Sequence, residues 1–153
     1  MLGKSCVKVK PLTCLDYTSV KDIYRSEFCS KGYNFSTLHD AWRYKDSDSS
    51  FGAFSKDGDL LGFILIQGNY ITRLAVHPNF QGLRIGATLL MKVLSQCYHK
   101  KKTLYLTPLN VEEPLLRFYH RHGFHFTPKW DMVFHFHNTR RQRLYIGMYA
   151  PAN

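Results

Sequence analysis

Between Ile71 and Leu90 a β-rich stretch passes through a turn containing Gly82 and Gly86 and then directly into a helix pattern. Such a junction can hold an anion, because the first N–H groups of a helix lack intrahelical partners and lie at the positive end of its dipole. Glycine there lets a phosphate approach the backbone with no Cβ in the way. The spacing is not that of a P-loop, since no Gly-Lys-Ser/Thr follows, nor of a GxGxxG dinucleotide fingerprint. On spacing alone, an ordinary glycine-containing loop is the stronger reading.

Other residues could also do chemistry. His120, His122 and His125 are clustered, and His135 and His137 share one face of a strand pattern at a spacing that could ligate zinc. No cysteine or carboxylate completes either set, so exposed histidines on a helix and a strand are preferred and no metal is expected. Arg140, Arg141 and Arg143, with Trp130 nearby, could stack and hold single-stranded nucleic acid. A solvated hairpin tip is the simpler reading. Cys6, Cys14, Cys29 and Cys97 form no CxxC pair and are read as reduced, mostly buried thiols.

The elements that must position these residues follow from periodicity. Val7–Lys10 alternates as a short strand stopped by Pro11. Val20, Ile23, Tyr24 and Phe28 recur at helical steps from Tyr17 to Cys29, with Thr18 or Ser19 as N-cap. A second helix fits Ser36–Tyr44, and Asp46–Ser50 is a polar loop. Strands are expected at Phe51–Phe54 and Leu60–Gln67, joined through Asp57-Gly58, a hairpin signal, and at Tyr70–Val76 after Gly68-Asn69. His77–Gly86 reads as a long turn feeding a helix from about Ala87 to Tyr98, with Lys100–Lys102 at its cation-favouring end. Thr103–Thr107 is β-rich; Glu112–His122 is a helix with an acidic first turn, closed by Gly123. Phe124–Phe126, Met132–His137 and Leu144–Tyr149 read as late strands. The order implies an α/β (mixed α+β) domain with a central twisted mixed sheet of about seven strands and about four helices, residues 1–153 forming a single domain.

The totals agree with an ordinary globule: 153 residues, 44% hydrophobic and 21% charged. Apolar runs such as Leu60–Ile66 are too short to cross a bilayer, and no signal-peptide core is visible, so a cytoplasmic or nuclear residence without membrane association is expected. Residues 1–80 carry ten Lys/Arg against eight Asp/Glu; residues 81–153 carry eleven against three, placing +8 of the formal +10 in the second half. That half suits an anionic partner such as coenzyme phosphates or nucleic acid, the latter not favoured; solubility alone is an equal account. Oligomeric state is not legible.

Leu74-Ala75-Val76-His77-Pro78-Asn79-Phe80-Gln81-Gly82-Leu83-Arg84-Ile85-Gly86-Ala87, followed by Leu89-Leu90, resembles motif A of the GNAT acetyltransferases, in which Gln/Arg-x-x-Gly-x-Gly/Ala cradles the coenzyme A pyrophosphate. Some thirty residues later, Leu116–Phe124, with its Tyr-x-x-x-Gly-Phe ending from Tyr119, is similar to their motif B. The order of elements suits that family along nearly the whole chain. Arg84 stands where the pattern has its first glycine; its guanidinium is expected to fold over the pyrophosphate and add a charge-assisted hydrogen bond.

The resemblance implies transfer of acetyl from acetyl-CoA to a primary amine by direct attack. Gln81–Ala87, with Leu74, Ala75 and Val76, would hold the coenzyme, the Val76 N–H would stabilise the oxyanion, and Asn110 would bond the pantetheine arm. Tyr119 aligns with the tyrosine that protonates the departing sulfur. A phenol of pKa near 10 stays protonated at neutral pH and can donate. A core aromatic beside Leu115, Leu116 and Phe118 is the competing reading. A lysine-like amine is free in only roughly one molecule in 2,500 at pH 7, so a base is needed. Relatives often place a carboxylate on the fourth strand; Tyr70–Val76 has none, leaving Glu27, Asp40, His125 or a water chain. The acceptor could be a protein N-terminus, a lysine or a small amine. The alternative function is a catalytically weak or inactive domain of the same fold that binds CoA or nucleic acid through its basic half.

Overall fold

The computed structural model describes residues 7–27, 35–106, 113–127 and 131–134. Among them are seven strands and four α-helices: β1 (Lys8–Pro11), α1 (Tyr17–Glu27), α2 (Phe35–Arg43), β2 (Phe51–Phe54), β3 (Leu60–Gln67), β4 (Tyr70–Val76), α3 (Ile85–Lys100), β5 (Leu104–Leu106), α4 (Glu113–Arg121), β6 (His125–Phe126) and β7 (Met132–Phe134). The mixed α/β class and the element order agree with the sequence reading. Leu144–Tyr149, read as a last strand, lies outside the described residues, as do Cys6, Cys29, Trp130, His135, His137 and the arginines at 140, 141 and 143. The chain divides into two compact units, Met1–Val93 and Leu94–Asn153.

In the first unit β1, β2, β3 and β4 pair antiparallel in that order. β3 is buried through Ile66 on both faces, which is why its sequence is a continuous apolar run rather than an alternation. One face packs under α1 and α2: Val20, Ile23, Tyr24, Leu38 and Ala41 meet Phe54, Phe63, Leu65 and Ala75. Each buried Val, Leu, Ile or Phe among them contributes roughly 1.5–3 kcal/mol by leaving water.

Several local expectations are corrected. Pro11 does not stop β1 but ends it, opposite Phe51; β1 stands last in the strand order, where a missing N–H costs no ladder bond. Helix α1 is not capped at Thr18 or Ser19, because a 3-10 turn, Cys14–Asp16, precedes it. There the Asp16 carboxylate accepts from the Thr13 N–H at 2.8 Å and its hydroxyl at 3.2 Å. The polar loop Asp46–Ser50 is stitched to β3: the Asp46 N–H donates to Ile66 C=O at 2.7 Å and the Ser50 hydroxyl accepts from the Ile66 N–H at 2.9 Å, so Ser49 and Ser50 are buried. Of the cysteines, Cys97 is buried but Cys14 is exposed.

Helix α3 starts at Ile85, two residues earlier than read, and runs to Lys100. Its end is closed by Lys101 at φ 53°, with the Lys102 N–H on Cys97 C=O at 2.9 Å. In the second unit β7 lies between β5 and β6, both antiparallel to it, so that Val133 faces Tyr105 on one side and His125 on the other. Among the described residues no helix is long and apolar enough to cross a membrane.

Candidate active site

The turn after β4 is built from its own side chains. His77 accepts the Asn79 N–H on Nδ1 at 3.1 Å and stacks edge-on with Phe80, centroids 5.6 Å apart, which fixes the short 3-10 turn Pro78–Phe80. The Gln81 side-chain amide then donates back to Val76 C=O at 3.2 Å, tying the turn to the strand end. Gly82 follows at φ 83° with open space around its Cα. Its lack of a side chain therefore serves the backbone angle rather than a close neighbour.

Arg84 is exposed and also left-handed, at φ 63°. This explains why a glycine is expected at that position: the backbone angle, more than space, asks for one, and a residue with a Cβ pays about 1–2 kcal/mol there. The Arg84 carbonyl accepts both the Thr88 N–H at 3.0 Å and the Thr88 hydroxyl at 2.8 Å. The helical ladder thus begins at Thr88, and the N–H groups of Ile85, Gly86 and Ala87 precede it at the positive end of a 16-residue helix.

Gly62, not singled out in the sequence, sets where that helix end sits. A Cβ on it would meet the Ala75 carbonyl oxygen at 2.9 Å, Ile85 Cγ2 at 3.2 Å and Val76 Cγ2 at 3.3 Å. Only a bare Cα lets the first residue of α3, 3% exposed, pack onto β3 beside the end of β4. The signal was available as a glycine inside an apolar strand, which marks close approach. The His77 N–H donates to Leu61 C=O at 2.8 Å while Val76 stands opposite Gly62. This makes Val76 and Gly62 a non-hydrogen-bonded pair, so the Val76 N–H points away from β3. The first unit thus gathers Val76, Gln81, Gly82 and the Ile85–Ala87 amides at one strand-to-helix junction; Leu74 is half-buried and Ala75 buried on β4, and Leu83 is exposed.

In the second unit, Tyr119 is 4% exposed on α4. Its carbonyl accepts the Phe124 N–H at 3.1 Å and the Gly123 N–H reaches His120 C=O at 3.1 Å, with Gly123 at φ 97°. These are the paired bonds of a Schellman helix stop, and its apolar contact is present as Tyr119 against Phe124, centroids 5.5 Å apart. The Tyr-x-x-x-Gly-Phe spacing is thus the spacing of a helix stop that fixes the tyrosine ring. Burial pushes the Tyr119 phenol well above its ordinary value, which keeps it protonated throughout the neutral range.

The remaining candidates separate. His125, expected to be exposed, is 1% exposed in β6, where it stands opposite Val133 of β7. His122 is held by its ring nitrogen on Phe118 C=O at 2.8 Å. Among the described residues no group of histidines, cysteines and carboxylates could hold a metal. Asp40 is exposed on α2; Asn110 and the Glu27 side chain lie outside the described residues.

A family model described as an acetyltransferase (GNAT) domain matches residues 22–136. No curated protein matches the sequence significantly. Among solved structures, a GNAT-family acetyltransferase from Staphylococcus aureus is 14% identical, with a TM-score of 0.73 over 85% of this chain and 99% of its own. The ribosomal-protein-S18-alanine N-acetyltransferase from Escherichia coli is 16% identical, with a TM-score of 0.67 over 85% and 94%. An Arabidopsis thaliana protein in complex with the bisubstrate analogue CoA-Ac-MVNAL is 23% identical, with a TM-score of 0.65 over 84% and 96%.

Proposed function

Because the chain belongs to the GNAT acetyltransferase family, we propose that it transfers acetyl from acetyl-CoA to a primary amine, the amine attacking the thioester directly. The observation that carries this reading is the junction itself: Gln81 and Gly82 shape a turn that bares the Ile85, Gly86 and Ala87 amides at the start of α3, beside a Val76 N–H turned away from its own hairpin. The bared amides and the helix dipole bind the coenzyme pyrophosphate, and the Arg84 guanidinium adds a charge-assisted bond to it. The Val76 N–H donates to the carbonyl oxygen as negative charge develops there.

As the amine nitrogen bonds to the acetyl carbon, the carbon–sulfur bond breaks and the sulfur leaves as thiolate. Tyr119 gives that sulfur its proton and takes one back from solvent as the products leave, and the phenol's protonated state at neutral pH supports the role. β4 carries no carboxylate, so the proton lost by the amine leaves through ordered water. The acceptor is the amino terminus of a peptide or protein. Support for it comes from the similar folds of the S18-alanine N-acetyltransferase and of the Arabidopsis protein whose bisubstrate analogue joins CoA to a peptide.

Release of free thiol from acetyl-CoA, measured over a panel of peptides and small amines, tests this. Turnover is expected, and Tyr119→Phe should lower kcat by about 100-fold or more while calorimetry shows acetyl-CoA still bound. Binding without turnover for every amine, or equal rates in wild type and variant, would defeat the catalytic assignment.

A further inference from the structure

β4 carries Arg73 three residues before Val76, on the face that packs under α1. The side chain is half-buried, and guanidinium donors taken partly out of water need acceptors or an anion beside them. Among the described residues Arg73 has no carboxylate partner. Its Nη1 donates to the Thr72 carbonyl at 2.6 Å, and its Cζ lies over the Tyr24 ring at 5.9 Å. Among the described carboxylates, Asp46 accepts from the Gly68 N–H at 2.9 Å, Asp22 pairs with Arg25 at 3.6 Å and Asp16 accepts from Thr13. One carbonyl bond satisfies one of five donors, which leaves the forked edge that recognises carboxylates without an anion.

Its place on the strand says what such an anion would belong to. Val76 and Gly62 share the face on which Ile85 starts α3, so the coenzyme turn lies on that side of β4. Arg73 is out of phase with Val76 and lies on the opposite face, with Ala75 and across from Leu65. An amine attacking a thioester held at Val76 approaches from the side away from the departing arm, and Arg73 sits about 10 Å back along the strand. That is within reach of a group one residue beyond the reacting nitrogen.

We infer that Arg73 selects acceptors whose amine is accompanied by a carboxylate, through a charge-assisted hydrogen bond to that carboxylate. The inference rests on the acetyltransferase reading and adds the acceptor's chemistry to it. For a peptide acceptor that carboxylate is the side chain of an acidic second residue; the α-carboxylate of a free amino acid presents the same chemistry, and the test separates the two sources.

The test measures kcat/KM with acetyl-CoA for matched amines: alanine against alaninamide, and peptides that differ only in Asp, Asn or Lys at the second position. Wild type is expected to favour the carboxylate member of a pair by about 10- to 100-fold, chiefly through KM; whichever pair shows it identifies the source. In Arg73→Gln that ratio should collapse towards one, in Arg73→Lys it should be partly restored, and in Arg73→Glu the Lys peptide should become the better substrate. Turnover of neutral amines with no preference for a carboxylate in wild type refutes the inference and leaves the acetyltransferase reading standing. No turnover of any amine refutes both. Should a variant fail to fold, the wild-type ratios alone decide.

Discussion

Replacing Gly62 by alanine tests how the helix proposed to bind the coenzyme is positioned. The added methyl would lie 2.9 Å from the Ala75 carbonyl oxygen, a main-chain atom that cannot rotate away, and 3.2 and 3.3 Å from the Ile85 and Val76 methyls. Overpacking of this kind costs about 1–3 kcal/mol. For a chain of this size each kcal/mol lowers Tm by about 2–4 °C, so a fall of roughly 2–12 °C is expected in a thermal melt. Because the least costly relief is outward movement of Ile85, the bared amides should shift with it, and calorimetry should show acetyl-CoA affinity falling by about tenfold or more, since a misplacement of ~1 Å can cost a hundredfold. Gly82→Ala is the control: nothing lies within 4 Å of its added methyl, and only the φ of 83° opposes it, so it should lose about 1–2 kcal/mol by backbone strain alone. A Gly62→Ala protein that melts within 1 °C of wild type, on the order of a few tenths of a kcal/mol, would show that the close approach of α3 to β3 does not hold in solution.

Two further predictions concern single groups. Burial raises the Tyr119 phenol, so above pH 10 the unfolded chain loses that proton while the folded chain keeps it, and stability falls as pH rises by about 1.4 kcal/mol per unit. Urea unfolding at pH 9 and pH 11 should therefore show wild type losing about 1.4 kcal/mol more than Tyr119→Phe; equal losses would mean the phenol is solvated. Arg84→Gly relieves a φ of 63° and so should not lower Tm, yet it removes the guanidinium and should weaken acetyl-CoA binding about tenfold. Tighter binding by the glycine variant would mean that the side chain obstructs the pyrophosphate.

Much of the fold was written in short-range pattern. The spans of β2, β3 and β4 followed from apolar runs and from the Asp57-Gly58 turn, because strand pairing and turn chemistry act over a few residues. Gly123 was legible as a helix stop for the same reason: a C′ residue must take positive φ wherever the helix lies. Errors fell where a local rule met a distant partner. Ile85 and Gly86 read as turn because glycine and the residues before it break helical pattern, yet Ile85 is held in the first turn by packing on β3. His125 read as exposed because histidine usually is, whereas in β6, opposite Val133 of β7, it is buried.

The sequence by itself determined the strand-to-helix junction and the tyrosine four residues before a Gly-Phe stop, since both depend on spacing along the chain. Only the tertiary structure decided that Gly62 admits the helix start, that the Val76 amide turns away from its hairpin, and that Arg73 lies half-buried with no described carboxylate beside it. Those facts depend on which atoms of separate strands and helices come within a few ångströms of one another, and no spacing in a single chain segment encodes that.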